Sequence, residues 1–240
     1  MDLKELESGV DPNIHWYYQS KKIPFELFVK KIFLLEQRKI TLIDFGAGSG
    51  FFTISLFKKH PEWIDKVLLV DTGYSQEEME VTKGKDIVKQ HLLPDVLENS
   101  IVVMMDVLEH IEGDLDIVKN MQDRSKGANY FFITVPAFMS LWSGHDKYLG
   151  HYRRYTRKTL ALLLRNARFG TRRVYYIFGF IYPLVWMVRR MKKNPGDQHS
   201  DMKPVSPFVN ALLKMLCSFE MNFRYWNTKG GVTVTAEGKI

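Results

Sequence analysis

The sequence of 240 residues is poor in cysteine and contains no long apolar run. Its one cysteine, Cys217, excludes a disulfide framework and a zinc site built from several cysteines. The main apolar run, residues 174–188, is interrupted by Pro183 and is shorter than the ~20 residues that cross a bilayer. Residues 1–7 are polar and acidic, whereas a secretory leader is basic and then apolar, so we expect a cytoplasmic protein.

Apolar runs alternate with helix-like stretches along the chain. The residues with helical spacing are 23–37, and Thr156 is a predicted N-cap for a helix over 157–168. Such alternation is typical of a parallel sheet with helices on both faces. The predicted strands are residues 40–45, 66–71, 86–89, 100–106, 129–135, 172–180 and 231–236.

Three glycines at alternate positions, Gly46, Gly48 and Gly50, follow the apolar run that ends in Asp44. A strand that turns into a helix through such a loop brings backbone close to a ligand at the carboxyl edge of a sheet. A dinucleotide fingerprint would need its third glycine where Phe51 stands. The loop also has no lysine, so a cationic ligand without phosphates suits it better. S-adenosylmethionine is such a ligand, with an ammonium, a sulfonium and a ribose diol.

A ribose diol predicts a second acid at the end of the next strand. Asp71 ends the apolar run 66–71 and lies 21 residues after Gly50, close to the ~20 expected for a ribose-binding acid in a β-α-β unit. A glycine-rich loop alone is often only a tight turn. The acid at this spacing favours a nucleoside site.

Three segments together resemble the strand ends of class I S-adenosylmethionine-dependent methyltransferases: DFGAGSG at 44–50, VD at 70–71 and MDVLEHI at 105–111. HWY at 15–17 and the segments LWSGHD at 141–146 and LGHYRRYT at 149–156 resemble a bacterial subgroup often associated with glycan and natural-product pathways. The resemblance covers roughly residues 15–170.

The resemblance implies one domain over residues 1–240, an α/β fold with a doubly wound, mostly parallel, Rossmann-like seven-stranded sheet. Its last strand is antiparallel and follows a helical, basic insertion at 184–228, which would cap the substrate or face a membrane. Residues 1–38 would form an N-terminal helical lid. The implied cofactor-binding residues are Asp44, Gly46, Ala47, Gly48, Gly50, Asp71, Thr72, Asp106, Val107 and Leu108.

The second half of the chain is strongly basic. Residues 145–193 contain thirteen Lys or Arg and one acid, Asp146, and they surround the apolar run 174–188. One interpretation is peripheral docking on an anionic membrane, with arginines on lipid headgroups and aromatic side chains entering the headgroup region. The other is a buried strand at 172–180 and a helix at 184–193 that covers the active site. The aromatic residues concerned are Tyr175, Tyr176, Phe178, Phe180, Tyr182 and Trp186.

Three histidines, His110, His145 and His151, are the candidate catalytic residues. Each lies in a segment expected at the carboxyl edge of the sheet, and histidine is the usual base near neutral pH. The structural alternative for His110 is a cap or hydrogen bond in the first turn of a helix. For His145 and His151 it is a polar network in which Asp146 pairs with an arginine.

Other residues near the predicted site have two interpretations. Residues 15–17, with Lys21 and Lys22, would fold over the cofactor or anchor the N-terminus to the core. Asp106 and Glu109 would line the methionine end of the cofactor or favour a helix dipole. The acid expected beside the adenine is missing, because residues 89–91 read Lys-Gln-His.

The predicted reaction is methyl transfer to oxygen or nitrogen of a small-molecule or lipid-linked acceptor. An RNA methyltransferase is the alternative suggested by the basic charge, although Asp106-Val-Leu-Glu is not the proline-rich motif of base N-methylation enzymes and Cys217 lacks the context of a cytosine C5 nucleophile. A non-catalytic cofactor-binding module is the second alternative. We predict no metal site, since the sequence gives no carboxylate cluster for one.

Overall fold

The computed structural model describes residues 9–191, 200 and 203–240 of the chain. Seven strands form one sheet in the order β3-β2-β1-β5-β7-β9-β8, and the short strands β4 and β6 pair separately. Only β9 runs antiparallel to its neighbours β7 and β8. The strands are β1 Ile40–Phe45, β2 Ile64–Val70, β3 Ile87–Gln90, β4 Leu97–Glu98, β5 Ser100–Met105, β6 Ser125–Lys126, β7 Tyr130–Pro136, β8 Gly170–Ile177 and β9 Thr233–Lys239.

Eight α-helices connect or follow these strands in the described part of the chain. They are α1 Trp16–Glu36, α2 Phe51–Lys59, α3 Gln76–Thr82, α4 Asp114–Arg124, α5 Gly144–Leu149, α6 Arg157–Asn166, α7 Tyr182–Met191 and α8 Pro207–Glu220. Thr156 caps α6 as predicted, because its hydroxyl accepts from the Thr159 N–H. Short 3-10 turns lie at Leu108–His110, Met139–Leu141 and Met221–Trp226.

The sheet separates two hydrophobic cores. Successive residues of a strand point to opposite faces, so Ile101 and Val103 of β5 pack with α1 and α2, while Val102 and Met104 pack with α4 and α6. All six residues of β5 are buried. The apolar run at 100–105 therefore marks a central strand, as the sequence predicts.

The strand order reverses between β1 and β5. The chain moves outward from β1 through β2 to β3, then returns to place β5 on the other side of β1. A crevice opens at the carboxyl ends of two such strands, and α/β proteins bind ligands there. The glycine loop after β1 and the turn after β5 both lie at this crevice.

The segment between β8 and β9 contains α7, α8 and the turn at Met221–Trp226, which confirms a helical insertion before the last strand. The membrane interpretation was wrong for part of it. Tyr175 and Phe178 are buried, because α1, α8 and the turn at Met221–Trp226 cover one face of edge strand β8. Tyr176 is buried in the core on the other face, where its ring stacks on Phe138. Phe180 and Trp186 are exposed.

Some predicted boundaries fall on residues that are not described, namely 1–8 of the N-terminal lid and 192–199, 201 and 202 of the insertion. Within the described residues, no helix combines the length and the apolar character needed to cross a membrane.

Candidate active site

The glycine loop leaves β1 in left-handed backbone conformations. Gly46, Gly48 and Gly50 have φ values of 68, 51 and 65°, which glycine adopts without the steric cost of a Cβ atom. A Cβ added to Gly46 would lie 2.6 Å from Cγ1 of Val107, in the turn after β5. The loop therefore packs directly against that turn and brings two strand ends together.

Asp71 and Tyr74 hold the loop from the end of β2. Oδ2 of Asp71 accepts from the Gly48 N–H at 2.8 Å, and Oδ1 accepts from the Gly73 N–H at 2.9 Å. The Tyr74 hydroxyl donates to the Gly48 carbonyl at 2.8 Å. The predicted ribose acid thus lies beside the glycine loop, whereas Thr72 is exposed in the turn that follows.

Asp44 is a buried carboxylate at the start of the loop. Its Oδ2 accepts from the Thr53 hydroxyl at 2.6 Å. Burial, with repulsion from Asp71, raises the pKa of Asp44 to about 6. A nearby cation would favour its ionised form, which suits the cationic ligand predicted from the sequence.

Asp106 has the left-handed backbone angle φ 57°, uncommon for a residue with a side chain. Its carboxylate forms an ion pair with the fully buried ammonium of Lys21 in α1 and accepts from the Thr134 hydroxyl at 3.2 Å. Burial would raise the pKa of Asp106, but the Lys21 charge lowers it below its ordinary value. The same Lys21 donates to the Tyr17 hydroxyl at 3.0 Å.

Glu109 and His110 lie in the 3-10 turn after Asp106. The Glu109 side chain is fully buried, and neither of its oxygens has a hydrogen-bond partner among the described residues. Burial, with repulsion from Asp106, raises the pKa of Glu109 well above its ordinary value. The His110 ring meets the His151 ring edge to face at 4.6 Å between centroids.

Asp146 in α5 is the centre of a buried polar network. Arg154 donates from Nε to Oδ1 at 2.6 Å and from Nη2 to Oδ2 at 3.0 Å, and Nδ1 of His151 lies 2.9 Å from Oδ1. Burial would raise the pKa of Asp146, but these hydrogen bonds hold it well below its ordinary value. The predicted Asp146–arginine pair is present, and Asp146 lies on the short helix that also carries His145.

A cavity of about 560 Å³ lies beside Asp106 and contains all three candidate histidines in its lining. One wall is apolar and comes largely from α7; its residues include Ile181, Leu184, Val185 and Val188. Aromatic residues of α1 form another part: Trp16, Tyr17 and Tyr18. The polar end comprises Asp106, Glu109, His110, His145, His151, Arg154 and Arg189.

The N-terminal residues both anchor the chain and line this cavity. Tyr17 stacks on Phe178 at 5.1 Å between ring centroids, and the Trp16 N–H donates to the Asn210 side chain of α8 at 2.8 Å. At the other end of the crevice, His91 Nε2 contacts the Tyr74 carbonyl at 2.7 Å, and Lys89 pairs with Glu78. These contacts occupy the region in which an acid was expected.

The profile of a protein family described as a methyltransferase domain matches residues 17–172. The chain belongs to this methyltransferase family. A comparison with curated proteins found no match.

Solved structures with the same fold include two methyltransferase-like chains. One, described as a methyltransferase, was solved in complex with the Haloferax volcanii Trm112 methyltransferase activator; it is 15% identical, with 84% of this chain and 83% of that chain covered and a TM-score of 0.53. The other, described as a sarcosine dimethylglycine methyltransferase from Galdieria sulphuraria, is 12% identical, with 90% and 84% covered and a TM-score of 0.51. Both similarities show the Rossmann-like fold.

The chain is therefore a methyltransferase, and the cofactor predicted for it is S-adenosylmethionine. The residues fit that group. The loop at Gly46 leaves no room for a Cβ atom, and Asp71 places a carboxylate beside the loop. Carboxylates without a phosphate-binding lysine suit a cationic nucleoside.

The predicted cofactor residues come together at one edge: the loop from Asp44 to Gly50, Asp71, and the turn from Asp106 to Leu108. Ala47 and Leu108 are buried there, with the Ala47 N–H donating to the Val70 carbonyl at 3.2 Å. The sequence placed Lys21 in a lid or an anchor without its partner, and it did not predict four further members of the site: Thr53, Tyr74, Arg154 and Arg189. No short-range signal marks them, since each meets its partner only in the folded sheet.

Proposed function

We propose that the enzyme methylates an oxygen or nitrogen atom of an amphiphilic acceptor, either a small molecule or a lipid-linked sugar or natural-product intermediate. The observation that supports the proposal is the cavity beside Asp106, with its apolar wall from α7 and its polar end. A volume of about 560 Å³ suits a ligand of moderate size. An acceptor with one apolar part and one polar part would match the apolar wall and the polar end of this cavity.

When bound, S-adenosylmethionine supplies an activated methyl group on its sulfonium. The protein must then hold the acceptor atom in line, and such positioning is worth ~7–11 kcal/mol. The α7 side chains and the aromatic residues of α1 would exclude water from the acceptor. The charged end would orient its polar group.

An acceptor atom that carries a proton needs a base, and we assign this role to the histidines of the cavity. His151 is the best oriented, because Asp146 bonds its Nδ1 and leaves Nε2 for the acceptor. His110 packs against the His151 ring. His145 lies on α5 at the same polar end.

A membrane-associated acceptor would explain the apolar surface around the cavity. Large side chains of α7, α8 and the following turn are exposed, and Phe219, Phe223 and Trp226 form a chain of ring contacts at 5.3 and 5.9 Å. Arg190, Lys214 and Lys229 lie on the same elements or beside them. Exposed apolar surface flanked by cations is typical of proteins that bind anionic membranes. The other exposed residues are Leu184, Met187, Val188, Met191, Phe208, Val209, Leu212, Met215 and Leu216.

The acceptor class can be tested with radiolabelled S-adenosylmethionine. The enzyme would be incubated with the lipid extract, the aqueous small-molecule extract and the total RNA of its source cells. Label in a lipid or small molecule supports the proposal; label in RNA alone would replace it with the RNA alternative. Cofactor binding without label in any fraction would favour a binding module.

A matched pair of variants on α7 tests the cavity. Val185→Trp fills it, whereas Met187 is exposed and is not part of the lining, so Met187→Trp is the control. We expect Val185→Trp to lower acceptor turnover at least tenfold while the Kd for S-adenosylmethionine stays within twofold. Equal turnover in both variants would mean that the acceptor binds elsewhere.

Membrane association is measured by co-sedimentation with vesicles of phosphatidylglycerol and phosphatidylcholine at low salt. Wild-type protein should pellet, and Phe223→Ser/Trp226→Ser should remain largely in the supernatant. The control is Val81→Ser, an exposed apolar residue on α3 at a distance in sequence from this surface. Failure of the wild type to pellet would restrict the acceptor to soluble molecules.

A further inference from the structure

Glu109, His110 and His151 converge at the polar end of the cavity. Each offers one ligand atom, and the three atoms lie within 4.8 Å of one another. Metal–ligand bonds of ~2.1 Å hold neighbouring ligand atoms about 3 Å apart, so side-chain movements on the order of 1 Å would close this set around one ion.

The Glu109 carboxylate lacks a partner among the described residues. It is fully buried, and neither oxygen accepts a hydrogen bond there. The neighbouring cations have partners of their own: Lys21 bonds Asp106, and Arg154 bonds both oxygens of Asp146. A buried carboxylate left in this way is costly unless a cation or a proton joins it.

His151 is held in the tautomer that a metal ligand needs. Both oxygens of the Asp146 carboxylate accept hydrogen bonds from Arg154, so Nδ1 of His151 is the donor in its 2.9 Å contact with Oδ1. Nε2 then carries the free lone pair. Metal-binding histidines almost always donate their other ring N–H to a carboxylate, carbonyl or water in this manner, which fixes the ring orientation.

We propose that Glu109, His110 and His151 bind one divalent transition-metal ion, whose open positions take a hydroxyl oxygen of the acceptor. Two imidazole nitrogens and one carboxylate suit ions such as Zn²⁺, Fe²⁺ or Ni²⁺ better than Mg²⁺ or Ca²⁺, which prefer oxygen ligands. The inference rests on the proposed function in one respect, namely that the acceptor occupies this cavity. It also narrows the acceptor to an alcohol, a phenol or a sugar hydroxyl.

The ion would change the role of His151 from base to ligand. A hydroxyl bound to a divalent cation loses its proton to water more readily than a free one. The oxygen then forms a bond to the methyl carbon while the carbon–sulfur bond breaks. The electron pair of that bond stays on sulfur, and the products are the methyl ether and S-adenosylhomocysteine.

Metal binding can be measured without any acceptor. Protein treated with a chelator and dialysed would be titrated with Zn²⁺ in a calorimeter, and with Co²⁺ while its visible absorption is recorded. We expect one equivalent to bind, with affinity lowered at least tenfold in Glu109→Gln, His110→Ala and His151→Ala. His145→Asn is the control, since His145 lines the same cavity outside the ligand set.

Two outcomes would overturn the metal site: no binding by the wild type at 1 equivalent of Zn²⁺ or Co²⁺, or equal binding by wild type and all three ligand variants. Thermal melting of each variant identifies any that fail to fold. If the two histidine variants fail to fold, the isosteric Glu109→Gln variant still tests the metal site. S-adenosylmethionine binding is measured on the same samples. If the cofactor binds and an acceptor is methylated after chelation, the metal inference fails while the proposed function stands.

Discussion

The ammonium of Lys21, fully buried in α1, forms an ion pair with the carboxylate of Asp106 at the end of β5. The two residues are 85 positions apart in the chain. The pair joins the N-terminal helix to the strand end that borders both the glycine loop and the cavity lined by α7. Residues before the first strand therefore help to fix the position of the site.

Lys21→Met should destabilise the protein, because it removes a charged hydrogen bond and leaves Asp106 without its cation. Since the Asp106 side chain is 35% exposed, water replaces part of the interaction, and we expect a loss of about 1–3 kcal/mol. Chemical denaturation measures the loss. Lys22→Met, on the same helix, is the control. The double variant Lys21→Met/Asp106→Asn should recover part of the stability that Lys21→Met loses. A Lys21→Met protein as stable as wild type would show that the pair contributes nothing.

Asp44 should make stability depend on pH. Its pKa is raised to about 6 from 3.8, so folding favours the protonated acid. The resulting stability is fully present below about pH 3.8 and is lost as pH rises through about 6. Above pH 6, Asp44→Asn should therefore be more stable than wild type by up to about 3 kcal/mol.

The comparison is made by urea denaturation at pH 4.5, 6 and 7.5, without cofactor. The difference between Asp44→Asn and wild type should grow over this range. Asp65→Asn, at an exposed position, is the control. We also expect the cationic cofactor to bind wild type up to about tenfold more tightly at pH 7.5 than at pH 5, because the carboxylate is then ionised. A flat difference for Asp44→Asn would contradict the assignment.

Gly46→Ala should disrupt the contact between the glycine loop and the turn after β5. The new Cβ would lie 2.6 Å from Cγ1 of Val107, and alanine at φ 68° adds a backbone cost of about 1–2 kcal/mol. Gly84→Ala is the matched control, since Gly84 has φ 74° and open space around the added atom. It should show the backbone cost alone.

Val107→Ala tests the steric contribution to the effect of Gly46→Ala. In the Gly46→Ala/Val107→Ala double variant the clash is removed, so the total loss should be smaller than the sum of the single losses by at least about 0.5 kcal/mol. Cofactor affinity from calorimetry should recover in parallel. Strict additivity would mean that the two residues do not press on each other in solution.

Glu220→Ala should loosen α7. The Glu220 carboxylate, at the end of α8, accepts from the Gly179 N–H at 2.7 Å and the Phe180 N–H at 3.1 Å, just before α7 begins. Trypsin should then cut faster after Arg189 or Arg190. Glu220→Gln retains one acceptor oxygen, so its rate of cleavage by trypsin should lie between the rates of wild type and Glu220→Ala. Unchanged cleavage rates would show that α7 is held by its apolar contacts alone.

Local pattern was enough to predict much of the fold. Central strands such as β5 are continuous apolar runs in the sequence because helices cover both of their faces. The spacing of the glycines and Asp71 predicts the crevice because these residues belong to one β-α-β unit. These signals lie within about 30 residues of one another. The mostly parallel seven-stranded sheet and its antiparallel last strand followed from the resemblance, and the structure confirms both.

Pairings across the chain could not be predicted in the same way. Lys21 was expected in a lid or an anchor, but its ion pair with Asp106 appears only when α1 packs over the end of β5. Glu109 was expected beside the cofactor or as a helix acid, and its burial appears only when its turn is packed. The sequence left two interpretations for Tyr175 and Phe178, a buried strand and a membrane surface, because a covered edge strand and an interfacial segment have the same composition. Only the packing of α8 on β8 separates the two.

The cavity wall is divided between two parts of the chain. The family match ends at residue 172, before α7 and before Val205, Val232 and Thr233, all of which line the cavity. The glycine loop is therefore separate in sequence from much of the wall against which we propose that the acceptor binds. Exchange of the region after residue 172 between related enzymes should change which compound is methylated while the donor site stays intact.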